Sequence, residues 1–300
     1  MLIRRTDLAV EAHEIWQESS DETTEIQGVE ARDSRAYDCD VHTVKILDKR
    51  GEKALGKPIG QYITIDLPSL RKRDQDAVER GARAAAQHIS KLLPRNAKAA
   101  LVVGLGNKNI TPDAIGPLSV ESTMVTRHLV EKVPEHFAGL RPVSALTPGV
   151  LASTGMESAD IIRGVVEKMK PDCLIVVDAL ASRKLSRLCQ TVQICDTGIV
   201  PGAGVGNARA ALNEQSLGVP VIAIGIPTVV DAGTLASDLL EEAGCGEIDP
   251  AILNDYGGSL IVTPKDIDAL VKESARVVGY GMSLALHEGF SLADVRGFLA

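Results

Sequence analysis

Strands alternating with helices, a core built from aliphatic residues, and strands that end in Gly, Asp or Pro predict an α/β fold for this 300-residue chain. The architecture they imply is a three-layer α/β/α domain with a mainly parallel sheet, preceded by a small N-terminal β element. Hydrophobic residues make up 45% of the chain and aromatics only 3%. Val, Ile, Leu and Ala must therefore fill the core, which suits a parallel sheet covered by helices on both faces.

Residues 1–35 are polar and acidic, densest from Glu18 to Glu25, and read as a mobile or peripheral arm. His42–Leu47 and Gln61–Asp66 are β-rich runs split by a turn region, Asp48–Lys57, and suggest a hairpin. From Asp74, apolar residues at Val78, Ala82, Ala85, Ile89 and Leu92 follow a helical spacing, with Pro94 just beyond. Ala99–Val103 is a continuous apolar strand. Its loop, Gly104–Pro117, leads into a helix expected over Leu118–Val130.

The unit then recurs. Val143–Leu146 is a short strand, and Thr154 with Glu157 fits a capping box before a helix with Ile161, Ile162, Val165, Val166 and Met169 on its buried face. Cys173–Val177, Thr191–Cys195 and Val219–Ile226 are further strands. Asp231 is placed to cap a helix through Ala243, and Thr263-Pro264 precedes a long helix through Val278.

Composition excludes several functions. With 32 basic and 40 acidic residues the net charge is −8, which gives no general grip on nucleic acid or an anionic membrane. The scarcity of aromatics argues against base-stacking platforms. Five cysteines without a C-x-x-C read as reduced thiols, and six histidines without an H-E-x-x-H signal no zinc site; no cofactor is expected. No apolar run reaches transmembrane length, and Met1–Arg5 lacks a signal-peptide stretch, so a soluble intracellular protein is expected.

In open parallel sheets, ligands bind beyond the carboxyl ends of the strands. Asp113 and Asp178 both follow predicted strands, and glycines at 104, 106 and 116 let the first loop bend. Two neighbouring carboxylates do not ionise together easily, so such a pair can hold an acid and a base for activating water. The ordinary alternative is that Asp113 caps the following helix and Asp178 holds a loop. Gly202, Gly204, Gly206 and Asn207 form a bent loop at the rim of a site, joined by Gly104, Gly106, Asn107 and Asp196; for Asp196 a turn at Asp-Thr-Gly is the commoner use.

Val102–Asn107, Thr111–Pro117, Val176–Ala181, Thr197–Asn207 and Gly218–Ala232 together resemble the germination protease family of spore-forming bacteria, as do Arg5–Ala12 and Val262–Lys265. The resemblance covers almost the whole chain. It implies an atypical aspartic endopeptidase that degrades small acid-soluble spore proteins, with Asp113 and Asp178 as its essential aspartates. It also implies a homotetramer in the cytoplasm of the spore core and a zymogen that removes its own N-terminal segment. Residues 1–40 are then propeptide and polar arm, and 41–300 a single catalytic domain. The family cuts between an acidic and an aliphatic residue, which places self-cleavage between Asp7 and Leu8, with Glu25–Ile26 as a competing bond. The stretch between Cys245 and Ser259 is short, where relatives often carry a long insertion.

The family's sheet resembles that of hydrogenase-maturation endopeptidases, which also carry a Gly-x-Gly-Asn loop and use a bound metal. A metal-dependent endopeptidase is therefore the second reading. A non-catalytic binding protein on the same scaffold, with capping aspartates, is the third.

Overall fold

The computed structural model describes residues 6–19, 26–67, 70, 72, 74–202, 209–244 and 260–300. Among the described residues, nine strands join in one sheet. They are β1 (Val29–Ala36), β2 (Cys39–Ile46), β3 (Gly60–Asp66), β4 (Ala100–Gly104), β5 (Val143–Leu146), β6 (Cys173–Ser182), β7 (Thr191–Cys195), β8 (Val221–Asp231) and β9 (Ile261–Val262). The order is β1-β2-β3-β7-β8-β6-β4-β5, with β9 added to the end of β8. β5, β4, β6 and β8 are parallel neighbours, whereas β1, β2, β3, β7 and β8 pair antiparallel. β8 is thus the seam between a parallel half and an antiparallel half.

The longer helices are α1 (Ala9–Ser19), α2 (Lys49–Leu55), α3 (Ala77–Leu92), α4 (Ile115–Glu121), α5 (Ser158–Met169), α6 (Ala232–Glu242), α7 (Ile267–Leu286) and α8 (Leu292–Leu299). Alternation along the strands sends residues to two covered faces. Val102, Ile175, Val177, Ile222 and Ile224 pack with Ala85 and Ile89 of α3 and Val278 of α7. Leu101, Val103, Leu174, Val176 and Val221 pack with Ile162 and Val166 of α5. Among the described residues, no helix is long and apolar enough to cross a membrane.

Several local expectations are corrected. Residues 48–57 contain α2 rather than a turn, because the Asp48 side chain accepts from Arg50 N and Gly51 N and Gly56 closes the helix at φ 63°. The hairpin pairing of β2 with β3 is present, but β3 also pairs with β7, so the element is continuous with the main sheet. The expected arm contains α1 and β1, and β1 pairs with β2 along its whole length; a boundary at residue 40 falls inside β2. The helix expected over 118–130 breaks into α4 and a short helix, Arg127–Lys132. Between them Met124 N is claimed by Ser283 Oγ and Val143 N by Thr126 Oγ1. The capping box at Thr154 and Glu157 does not form. Thr154 ends a short helix, Gly155 closes it at φ 71°, and α5 starts at Ser158 without a side-chain cap. Asp231 does cap α6, accepting from Thr234 N at 2.8 Å.

Candidate active site

The site begins with one row of residues across three strands. Gly225 of β8 pairs with Asp178 of β6 on one side and Gln193 of β7 on the other. Residues in register across a sheet share a face, so the Asp178 and Gln193 side chains project from the same side, two strand spacings (about 10 Å) apart. Gly225 has no side chain, and Leu180 packs over it; a Cβ there would come within 2.3 Å of Leu180 Cδ1. Asp178 therefore does not close its strand, as its place in the sequence suggests. β6 runs four residues further, to Ser182.

Asp113 reaches the same place from the loop after β4. Leu105 N donates to Val177 O at 2.8 Å and ties the loop to β6 one residue before Asp178. The chain then turns at Gly106, at φ 107°, and enters a single 3₁₀ turn, Thr111–Asp113. Only glycine fits at 106, because a Cβ would lie 2.1 Å from Asp113 O. Asn107 N donates to Asp113 Oδ2 at 2.7 Å and fixes the carboxylate. Asp113 thus does not cap the following helix; α4 has no side-chain cap.

Burial and charge separate the two carboxyls from ordinary ones. Asp178 is 6% exposed. Its burial first, then the charge of Asp113, pushes its carboxyl up to about 8, and the bond from Ala179 N offsets only part of this. Burial also raises Asp113, with the Asn107 N–H opposing. A carboxyl raised this far favours the protonated form of Asp178 at neutral pH.

Both aspartates line a cavity of about 540 Å³ that also contains Asp7, Lys57, Gln193 and Gly225. Ile110, Leu151, Val200 and Ile261 are exposed apolar side chains on the same cavity. The N-terminal segment borders it at Asp7. Lys57 Nζ donates to Thr6 O at 3.1 Å. Asp7 N donates to Ala181 O at 2.9 Å, and Ala181 N donates to Asp7 Oδ2 at 2.8 Å. Gln193 Nε2 donates to Asp7 O at 3.2 Å, while Ala9 N donates to Gln193 Oε1 at 2.7 Å. Leu8 is fully buried and packs with Val10 and Leu180. Burial raises the Asp7 carboxyl, against the attraction of Lys57.

Of the residues singled out from sequence, the cavity brings together Asp7, Gly106, Asp113, Asp178 and Gly202. Gly104 and Asn107 support the loop from behind. Asp196 stands aside, its Oδ1 accepting from Gln61 N at 2.8 Å to tie β7 to β3. Gly204, Gly206 and Asn207 lie outside the described residues, as does Glu25. Sequence reasoning missed Gln193, Lys57 and Gly225. The available signal for Gln193 was an amide in the otherwise apolar run Val192-Gln-Ile-Cys195. Among the described residues, no three His, Cys, Asp or Glu side chains are grouped to hold a metal ion.

A peptidase family model matches residues 9–243, and this chain is a peptidase. The model is that of germination protease, and the chain belongs to the germination protease family. A germination protease from Caldanaerobacter subterraneus subsp. tengcongensis is 47% identical over 98% of both chains. One from Clostridium tetani is 44% identical over 98% of this chain and 99% of its own. One from Bacillus pumilus is 39% identical over 96% and 94%. Among solved structures, the [NiFe] hydrogenase maturation protease HycI from Thermococcus kodakarensis KOD1 aligns with 66% of this chain and 98% of its own at 17% identity. Its TM-score of 0.39 is a loose correspondence with no bearing on the chemistry.

Proposed function

We propose that this chain is an aspartic endopeptidase of spore germination that degrades small acid-soluble spore proteins, with Asp113 and Asp178 as the water-activating pair. One observation carries the reading: a buried carboxyl raised to about 8 with a second carboxylate on the same cavity, which Asp7 of the N-terminal segment also lines. Asp113 is the base and Asp178 the acid. Water attacks the scissile carbonyl carbon and gives its proton to Asp113, while the Asp178 O–H hydrogen-bonds the carbonyl oxygen as charge develops there. Collapse passes the Asp113 proton to the leaving amine and returns the pair to its starting state.

Asp7 lines the cavity and its carbonyl is held by Gln193, which supports a self-processing zymogen cut between Asp7 and Leu8. On this reading Met1–Asp7 leaves, and α1 and β1 stay with the catalytic domain. The homotetramer and the spore-core location implied by the family resemblance belong to the same proposal; light scattering reads the first. Incubation with a small acid-soluble spore protein tests the function. Discrete fragments that form in the presence of a chelator are expected. Binding without cleavage, before and after N-terminal trimming, would favour a binding protein, and loss of cleavage on chelation restored by metal would favour a metalloprotease.

A further inference from the structure

We propose that Gln193 is a catalytic residue of this peptidase, whose side-chain NH₂ donates to the carbonyl oxygen of the bond being cut. The inference rests on the endopeptidase reading above. Gln193 brackets Leu8: Nε2 donates to Asp7 O, the carbonyl of the Asp7–Leu8 bond, and Oε1 accepts from Ala9 N in the next peptide unit. The orientation of the amide is determined by its partners. Ala9 N–H can only donate, so Oε1 must face it, and the NH₂ group is left for the Asp7 carbonyl.

The position is rigid and dry. Gln193 is 6% exposed and sits in the middle of β7, paired with Thr64 of β3 and Gly225 of β8. Its donor is therefore held in place before any reaction, in the setting where an oriented dipole stabilises a developing oxyanion most. A carbonyl oxygen has two acceptor sites, one for Gln193 and one for the Asp178 O–H.

Loss of Met1–Asp7 leaves this device intact. Ala9 remains on the enzyme and continues to hold Oε1, so Nε2 stays aimed at the position Asp7 O has left. Ala181 N–H, Ala181 C=O and Lys57 Nζ are released at the same moment, since each is bonded to Thr6 or Asp7. An incoming peptide then finds its carbonyl donor already oriented.

The test uses the chain after trimming to Leu8, the variants being trimmed in trans by wild-type enzyme that is then removed, and a synthetic peptide carrying Thr-Asp-Leu-Ala, with Gln193→Met and Gln193→Glu. For Gln193→Met, which keeps length and loses the amide, kcat is expected to fall about 10²- to 10³-fold with KM changed less than about threefold. For Gln193→Glu, the ratio of variant to wild-type kcat is expected to rise as pH falls, because the protonated carboxyl regains a donor. A strut for the N-terminus would show neither effect. A folded Gln193→Met enzyme with near-normal kcat, a change confined to KM, or a pH-independent Gln193→Glu ratio overturns the proposal. If Gln193→Met fails to fold, the Gln193→Glu ratio decides. A wild type that cuts nothing overturns the endopeptidase reading, and the role of Gln193 falls with it; a wild type that cuts while Gln193→Met cuts equally well removes Gln193 alone.

Discussion

Asp178 and Gln193 face one cavity from two different strands because both pair with Gly225, whose missing side chain makes room for Leu180. Gly225→Ala drives Leu180 from its place. The expected result is a loss of at least tenfold in peptide cleavage, with about 1–3 kcal/mol of destabilisation from overpacking, read by denaturant unfolding. Normal turnover in Gly225→Ala would mean that the placement of Leu180 between Asp178 and Gln193 does not matter to cleavage.

Activity should follow a bell-shaped pH profile. The alkaline limb reports loss of the Asp178 proton near pH 8, and the acid limb reports protonation of Asp113. Stability carries the same signature. A folded-state carboxyl raised above its unfolded value contributes stability below pH 4, and that contribution is lost as pH rises through about 8. Asp178→Asn removes this loss, so its melting temperature relative to wild type should be higher at pH 9 than at pH 6.

Self-processing is read by intact mass. Mild acidification should favour a new N-terminus at Leu8, since the pair needs one protonated carboxyl, and Asp113→Asn should not produce it. No trimming at any pH with full activity in the untrimmed chain would remove the zymogen.

Glu11 anchors the segment that enters the cavity. It is fully buried, and its carboxylate accepts from Arg183 N at 2.6 Å, Lys184 N at 3.0 Å and the Thr6 hydroxyl, with Arg187 Nε 3.5 Å away. Glu11→Ala strands these donors and should cost about 3 kcal/mol, measured by chemical denaturation. Faster amide exchange at Leu8 and Ala9 should accompany it.

The contrast between Glu11 and Asp178 explains what could be read from sequence. Asp178 and Asp113 drew attention in the sequence because each follows an apolar run, although Asp178 lies within β6 and not at its end. Asp231 was legible because its partner, Thr234, is three residues away. Gln193 was not, because its meaning depends on Asp7, 186 residues distant, and on two flanking strands that local pattern does not identify. Residues 9–19 read as a polar arm for a similar reason. Glu11, Glu14 and Glu18 look solvated in sequence, but they pair with Arg183, Lys184 and Arg187 at the far end of β6 and beyond.

The most direct measurement is the turnover number of purified, folded Asp113→Asn and Asp178→Asn on a small acid-soluble spore protein. The account predicts that each variant loses cleavage by several orders of magnitude while keeping the wild-type circular dichroism spectrum. Near-normal turnover by either variant would contradict it.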